Sequence, residues 1–361
     1  MKKLFLILTM FASLTLDAQY VTTLAKDAQT QTDGLYYYLP RNVIKLELTI
    51  EETSYHIGPY AEFASKMLGT TDYIRENKTE IKVKNVDIQS FNELDPNAAF
   101  FVEVDEKSKE PLPNFIMDAN GIILAIGYDN LPADYNFNCN TLTYNDLEEF
   151  DREEVSFIEI LDCEVEIDDD DDDDEEDDNK PARQITKEDK AKVAAEKISN
   201  IRNAYFDLVS GSQEVAYGES MKYMANSIKE VENEYVSLFK GKKITNTYKK
   251  CFYFTPEKNH ANATITCGKL ANGDVVKMQF DTKNASANVS ALSSEVLDNG
   301  QNNKIFYRIP SQTNVTITLD KDVLLNKNLI ISQFGELRTV STKNNKILFN
   351  PNTGQIVTVS K

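Results

Sequence analysis

From Asp168 to Asp178 the chain carries eleven consecutive acidic side chains, and no other feature limits its folding as strongly. Adjacent carboxylates repel one another. A stretch without apolar residues gains nothing from burial to offset the entropy of ordering it. The run therefore cannot cross a core, and the chain must organise itself on either side. Self-repulsion favours an extended, solvated spacer. The competing reading is calcium, because carboxylates are hard oxygen donors. Well-formed calcium loops space their ligands and turn the backbone at a glycine, yet no glycine occurs between Glu166 and Gln184. Calcium binding there is expected to be weak, diffuse and salt-sensitive.

The run also accounts for most of the charge. The formal net charge is −19, and without these eleven residues it is −8. Nucleic-acid binding, which needs concentrated Lys and Arg, is disfavoured. So is adsorption to anionic lipid. At the start, Lys2 and Lys3 precede a mostly apolar stretch from Leu4 to Leu16. That is the length of a signal-peptide core, whereas a spanning helix needs about 20 residues. Residues 1–18 are expected to be a secretory signal with Ala18 at the cleavage position, and the mature protein to be exported, to periplasm or cell surface. No later segment is apolar enough to span a membrane as a helix.

Residues 19–165 read as a β-rich domain with one short helix. In "NVIKLELTI", Ile44, Leu46, Leu48 and Ile50 alternate with Lys45, Glu47 and Thr49, the period of a strand. "AAFFVEV" repeats the pattern at Phe100, Val102 and Val104, and "NFIMDANGIILAI" predicts two strands joined at Asn120–Gly121. "GPYAEFASKMLG" predicts a helix that opens at Pro59 and stops at Gly69. Its stripe of Tyr60, Phe63, Ala64, Met67 and Leu68 is expected to pack on the sheet.

Residues 166–184 form the acidic linker, and 185–241 read as an antiparallel helical hairpin. Thr186 and Asp189 have the spacing of a capping box. Val193, Ile198, Ile201, Tyr205 and Leu208 follow at helical spacing until Gly211. A second stripe comprises Met221, Met224, Ile228, Val231, Tyr235 and Leu238, with a stop at Gly241. Residues 242–361 return to β texture. The fold class expected is α+β: two β-rich modules around the hairpin.

The modules share a weak repeat. "YYLP" (Tyr37–Pro40) matches "YRIP" (Tyr307–Pro310), "IQSFNEL" (Ile88–Leu94) matches "ISQFGEL" (Ile331–Leu337), and "MDANGIILAI" aligns with "NPNTGQIVTV" at Gly121 and Gly354. Three matches in the same order point to a duplicated module. Turns and strands that draw on the same few residue types are the alternative.

Catalytic signatures are lacking: the chain has no GxSxG, HExxH or phosphate loop. His56 and His260 are its only histidines; each could act as a general base, and each reads better as a structural or exposed residue. Two histidines and no CxxC do not make a zinc site. A carboxylate pair distant in sequence, as in glycoside hydrolysis, is the remaining enzymatic option. The four cysteines, Cys139, Cys163, Cys251 and Cys267, permit disulfides in an exported protein. A Cys251–Cys267 bridge and two small buried thiols are both consistent with the neighbouring strand-like segments. Tyr36, Tyr37 and Tyr38 precede Pro40. On a strand, Tyr36 and Tyr38 share one face, which could stack against a glycan or other small ligand; burial on a sheet face is the competing explanation.

"GLYYYLPRNVIKLEL", "GPYAEFASKMLG", "IRNAYFDLVSG", "EYVSLFKGK", "FYRIP" and "QFGELRTV" together resemble domain-of-unknown-function family 4831, exported bacterial proteins of about this length. The resemblance spans nearly the whole mature chain. It implies export and a β–helix–β order, and it brings no activity, cofactor or catalytic residue. The acidic run is not part of the family pattern. The expectation is an exported, non-enzymatic binding or scaffold protein of the bacterial envelope, with an envelope protein as partner. Its contacts would use a sheet edge or the helical seam. A glycan or small-ligand binder using Tyr36 and Tyr38 is the alternative, and a carboxylate hydrolase the third class.

Overall fold

A computed structural model describes residues 20–27, 33–104, 112–137, 155–161, 164–165, 184–210, 220–282 and 301–361. The signal segment, the acidic run, Gly211, Cys139 and Cys163 lie outside the described residues. Among the described residues the architecture is β-rich, with three antiparallel sheets and three α-helices. In chain order the elements are β1 (Tyr20–Leu24), β2 (Gly34–His56), α1 (Ala64–Leu68), β3 (Lys78–Val104), β4 (Phe115–Met117), β5 (Ile123–Ile126), α2 (Lys187–Ser210) and α3 (Ser220–Lys240). Then follow β6 (Lys242–Phe254), β7 (Thr264–Lys269), β8 (Val275–Thr282), β9 (Gln301–Asn302), β10 (Lys304–Leu319), β11 (Asp322–Ser341), β12 (Lys346–Phe349) and β13 (Ile356–Ser360). The sheet orders are β6-β2-β3-β1-β9, β11-β10-β8-β7 and β13-β12-β5-β4.

The chain forms two compact units. The first takes β2 through Leu48, β3 from Asn85, β6 from Lys250, and β1, β4, β5 and β7–β13. The second takes residues Thr49–Lys84, both long helices and β6 through Lys249. Neither unit is one contiguous segment.

The core of the first unit gathers Tyr20, Tyr37, Leu39, Phe100, Val102, Ile123, Ile126, Phe306, Ile347 and Phe349. Its centre is an aromatic stack. Tyr37 lies over Phe100 (5.3 Å, 24°), and Phe100 over Phe306 (4.6 Å, 14°). Each such side chain contributes about 1.5–3 kcal/mol by leaving water. Ile44, Leu46, Leu48 and Ile50 are fully buried, as their alternation predicts. Lys45, on the opposite face, is buried too, with Glu47 3.4 Å from its ammonium.

The β10–β11 ladder shifts register between Ile309 and Ser311, around Pro310, which has no N–H to donate. Gly335 faces this point, where an added Cβ would lie 1.9 Å from the Ile309 carbonyl oxygen. Only a residue without a side chain admits that approach. The β4–β5 and β12–β13 connections each close on a backbone hydrogen bond. Asp118 N donates to Ile122 O (2.9 Å), and Asn350 N to Gln355 O (2.8 Å). Gly121 and Gly354 take positive φ, 83° and 71°. Tyr38 N donates to Gly121 O (2.9 Å), and Arg308 N to Gly354 O (3.0 Å).

In the second unit, Tyr60, Ala64, Ile160, Ala191, Ala194, Ile198, Leu238 and Phe239 form the core. The short helix ends at Gly69 as expected, φ 63°. Its apolar stripe packs against α2 and α3 and not on a sheet. Small side chains allow close approach, and Ala191 and Ala194 of α2 are buried in one cluster with Tyr60 and Ala64, a contact that the apolar spacing did not reveal. The capping box forms at both of its bonds, Thr186 N to Asp189 Oδ2 (2.9 Å) and Asp189 N to Thr186 Oγ1 (3.2 Å). Between the long helices, Arg202 Nε donates to Glu232 (2.7 Å), and the Lys229 ammonium stands 4.9 Å over the Tyr205 ring. At the end of α3, Gly241 N returns to Ser237 O (2.8 Å).

Candidate functional site

The three tyrosines beside Pro40 separate as strand alternation requires, and only one becomes available. Tyr37 points into the core. Phe306 N donates to its hydroxyl (2.8 Å), which donates to Phe306 O (3.2 Å). One phenol thus satisfies a backbone donor and acceptor on β10. Burial pushes the Tyr37 hydroxyl well above the ordinary tyrosine range. Tyr36, on the other face, is 45% exposed, with its ring tilted over Phe101 at 4.7 Å. Tyr38 shares that face but is half-buried. Its backbone is tied to Gly121, and its ring lies 3.0 Å from where a Gly121 Cβ would stand. The face therefore presents Tyr36, supported from below by the buried Phe101, with Tyr38 beside it as a wall. An exposed aromatic plane of this kind can stack on the apolar face of a sugar or on a peptide side chain. The alternation of "AAFFVEV" assigned Phe100 to the core and passed over Phe101, whose support of Tyr36 depends on strand pairing.

The remaining candidates are divided between the two units. His56 ends β2 in the second unit. His260, in the first, accepts the Glu257 N–H at Nδ1 (3.1 Å) within a single 3-10 turn and lies 5.2 Å from the Phe254 ring. Its bonding is that of a local cap. Among the described residues two carboxylates are buried, one in each unit. Asp95 pairs with Arg308 in the first unit (2.8 Å), and Glu52 accepts from Tyr248 in the second (3.2 Å). Among the described residues no group of three or more His, Cys, Asp or Glu is arranged to hold a metal ion. Cys251 and Cys267 are not joined by a disulfide, so the bridge considered from sequence is not formed. Their strands belong to different sheets, and the Cys251 Sγ faces the Glu47 carboxylate at 3.9 Å. Cys267 is half-buried, and burial pushes its thiol up to about 11, which suits an unreactive thiol.

A second surface escaped the sequence reading. Phe206 and Tyr223 are 67% and 76% exposed, and Val209 and Val231 are also open to solvent. Phe206, Val209 and Tyr223 occupy the C-terminal end of α2 and the N-terminal end of α3. The Tyr205–Lys229 contact brings these ends together. Phe206, Val209 and Tyr223 fall off the periodic stripes, and that departure was the signal available in the sequence.

Among the described residues, three antiparallel sheets and three helices define a β-rich, mixed α and β protein. The chain belongs to the family described as Domain of unknown function (DUF4831), whose model matches residues 33–165 and 180–357. The match stops and resumes on either side of the acidic run. No curated protein and no solved structure matches the chain. Among the described residues, no helix is long and apolar enough to cross a membrane.

Proposed function

We propose that the protein is an exported, non-enzymatic binding or scaffold component of the bacterial envelope, and that the joined ends of α2 and α3 carry its contact surface. The observation behind this reading is the exposed set Phe206, Val209 and Tyr223. Large aromatic side chains left in water on one end of a helix pair are the composition of interface anchors. The supporting element is an antiparallel helical hairpin. Residues 202 and 205 on α2 meet 232 and 229 on α3, so one number rises as the other falls. Crosslinking of the tagged mature protein in cells should capture one abundant envelope protein, and the double variant Phe206→Asp/Tyr223→Asp should lose it. Capture unchanged in the variant, or nothing above background, would refute the proposal.

A second reading rests on Tyr36, exposed over Phe101: the face with Tyr38 binds a glycan or small ligand. Saturable binding in a glycan screen that Tyr36→Ala removes is its expected result, and binding indifferent to Tyr36 ends it.

We further infer that the two β-rich modules are a duplication. Support comes from equivalent partners. The "YYLP" and "IQSFNEL" fragments lie on the adjacent strands β2 and β3, and "YRIP" and "ISQFGEL" on the adjacent strands β10 and β11. Tyr38 and Arg308, at matching positions, donate to Gly121 and Gly354, also matching. Superposition of the two sets of strands is the test, and failure over these fragments would end the inference.

A further inference from the structure

Asparagine stands directly before glycine at Asn120–Gly121, Asn272–Gly273 and Asn299–Gly300; the last lies outside the described residues. This pairing is chemically labile, because no Cβ hinders the glycine nitrogen from reaching the side-chain carbonyl carbon. The two described pairs differ in how the side chain is held. Asn272 is held at both ends: Nδ2 donates to Asp274 Oδ2 (2.6 Å), and Oδ1 accepts Asp274 N (3.2 Å). Bringing its Cγ to Gly273 N breaks both bonds. Asn120 is exposed. Its backbone N donates to Asp118 Oδ1 (2.8 Å), and among the described residues its side chain makes no hydrogen bond. Gly121 N donates to Asp118 O (3.1 Å) and Gly273 N to Leu270 O (3.0 Å). Both turns must therefore open briefly before the nitrogen can attack, and the side-chain lock is what separates them. The turn at Gly354 carries Thr353 at the matching position, which has no amide to react.

We propose that Asn120 deamidates spontaneously in the folded protein, and that its isoaspartate product unties β2 from the β4–β5 turn. Gly121 N gives up its proton to hydroxide and bonds to Asn120 Cγ. The Cγ–Nδ2 bond breaks, and the amide nitrogen leaves as ammonia with a proton from water. Water then opens the cyclic imide. Cleavage between the nitrogen and Cγ gives aspartate. Cleavage between the nitrogen and the main-chain carbonyl carbon gives isoaspartate, whose chain runs on through Cβ and Cγ. Water is consumed, ammonia is released, and nothing is oxidised or reduced. Isoaspartate lengthens the main chain within a turn that is closed on three sides. Gly121 O accepts Tyr38 N (2.9 Å), Ile122 O accepts Asp118 N (2.9 Å), and Ile122 N donates to Asp118 Oδ1 (2.8 Å). A longer turn cannot keep all three bonds. The bridge between Tyr38 and Ile122 is the attachment that loosens, because it joins the turn to a strand of another sheet. This proposal stands apart from the α2–α3 surface and does not depend on it.

Ageing the full mature chain at mildly alkaline pH tests the proposal. Peptide mapping by mass spectrometry should show the Asn120 peptide shifting to the acid form while the Asn272 peptide remains an amide. An isoaspartate methyltransferase should label the Asn120 peptide. The melting temperature should fall in step with the isoaspartate fraction. Asn120→Thr copies the residue found before Gly354. It should fold with the circular dichroism spectrum of the parent and hold its melting temperature better than the parent on ageing. Conversion at Asn299 is common to both proteins, so the difference between them reports Asn120. An Asn120 peptide that stays an amide, or that converts after Asn272, overturns the proposal. So does an aged parent that carries isoaspartate at position 120 and has lost no more melting temperature than aged Asn120→Thr.

Discussion

Replacing Asp95 with alanine should destabilise the first unit by about 3–5 kcal/mol, the cost of leaving a buried charge without its partner. Asp95 and Arg308 are 6% and 8% exposed, with Oδ2 and Nη2 2.8 Å apart. The other arm of the guanidinium donates to the Pro40 carbonyl (2.9 Å), and the second carboxylate oxygen accepts Asn97 N (3.0 Å). In Asp95→Ala the cation stays in place with only the neutral carbonyl opposite, and water cannot reach it without opening the sheet. Arg308→Met/Asp95→Leu should recover much of the loss, because both charges leave together. Recovery would be incomplete, since the orphaned Pro40 carbonyl costs about 1–3 kcal/mol. Glu188→Ala, which breaks the exposed Lys66–Glu188 pair, sets the scale of a solvent-screened surface contact. Urea unfolding followed by near-ultraviolet circular dichroism is a suitable assay, because the chain has 17 tyrosines and no tryptophan. A loss for Asp95→Ala no larger than that for Glu188→Ala would refute the argument that burial sets the energy of this pair.

Three further outcomes are expected. Asn42→Ala removes the acceptor of the buried Ser332 N–H (2.7 Å) and the donor to Ser90 (3.0 Å), at about 1–3 kcal/mol for each buried group left unpaired; the unfolding midpoint measures it. Stability should fall on the alkaline side. Burial raises Cys267 from 9.0 to about 11 and Tyr20 from 10.0 to about 12, so the folded state holds protons that the unfolded chain releases. That stability is fully present below pH 9 and is lost between about 9 and 12, by up to about 2–3 kcal/mol for Tyr20 and by less for the solvent-screened, half-buried Cys267; a pH series of melts that is flat to pH 12 would contradict it. Deleting residues 168–178 should leave the melting temperature nearly unchanged, and a large drop would count against the spacer reading.

The sequence by itself determined the local elements whose cause is local. The Thr186–Asp189 cap, the stops at Gly69 and Gly241 and the turn at Gly121 depend on residues a few positions apart, and all formed. So did the burial of Ile44, Leu46, Leu48 and Ile50, since alternation fixes which side chains share a face. Strand length was less legible. β11 and the first half of β3 mix polar and apolar residues, so their extents follow from long-range pairing and not from alternation.

Tertiary structure alone decided which faces reach solvent and which strands meet. Alternation put Tyr36 and Tyr38 together, but only the Gly121 turn docking on Tyr38 made one open and the other half-buried. The Tyr37–Phe306 and Asp95–Arg308 contacts join residues more than two hundred positions apart. Backbone hydrogen bonds carry no side-chain identity, so the sequence cannot specify a partner strand locally. That choice falls to whichever packing buries the aromatic stack and leaves no buried charge unpaired.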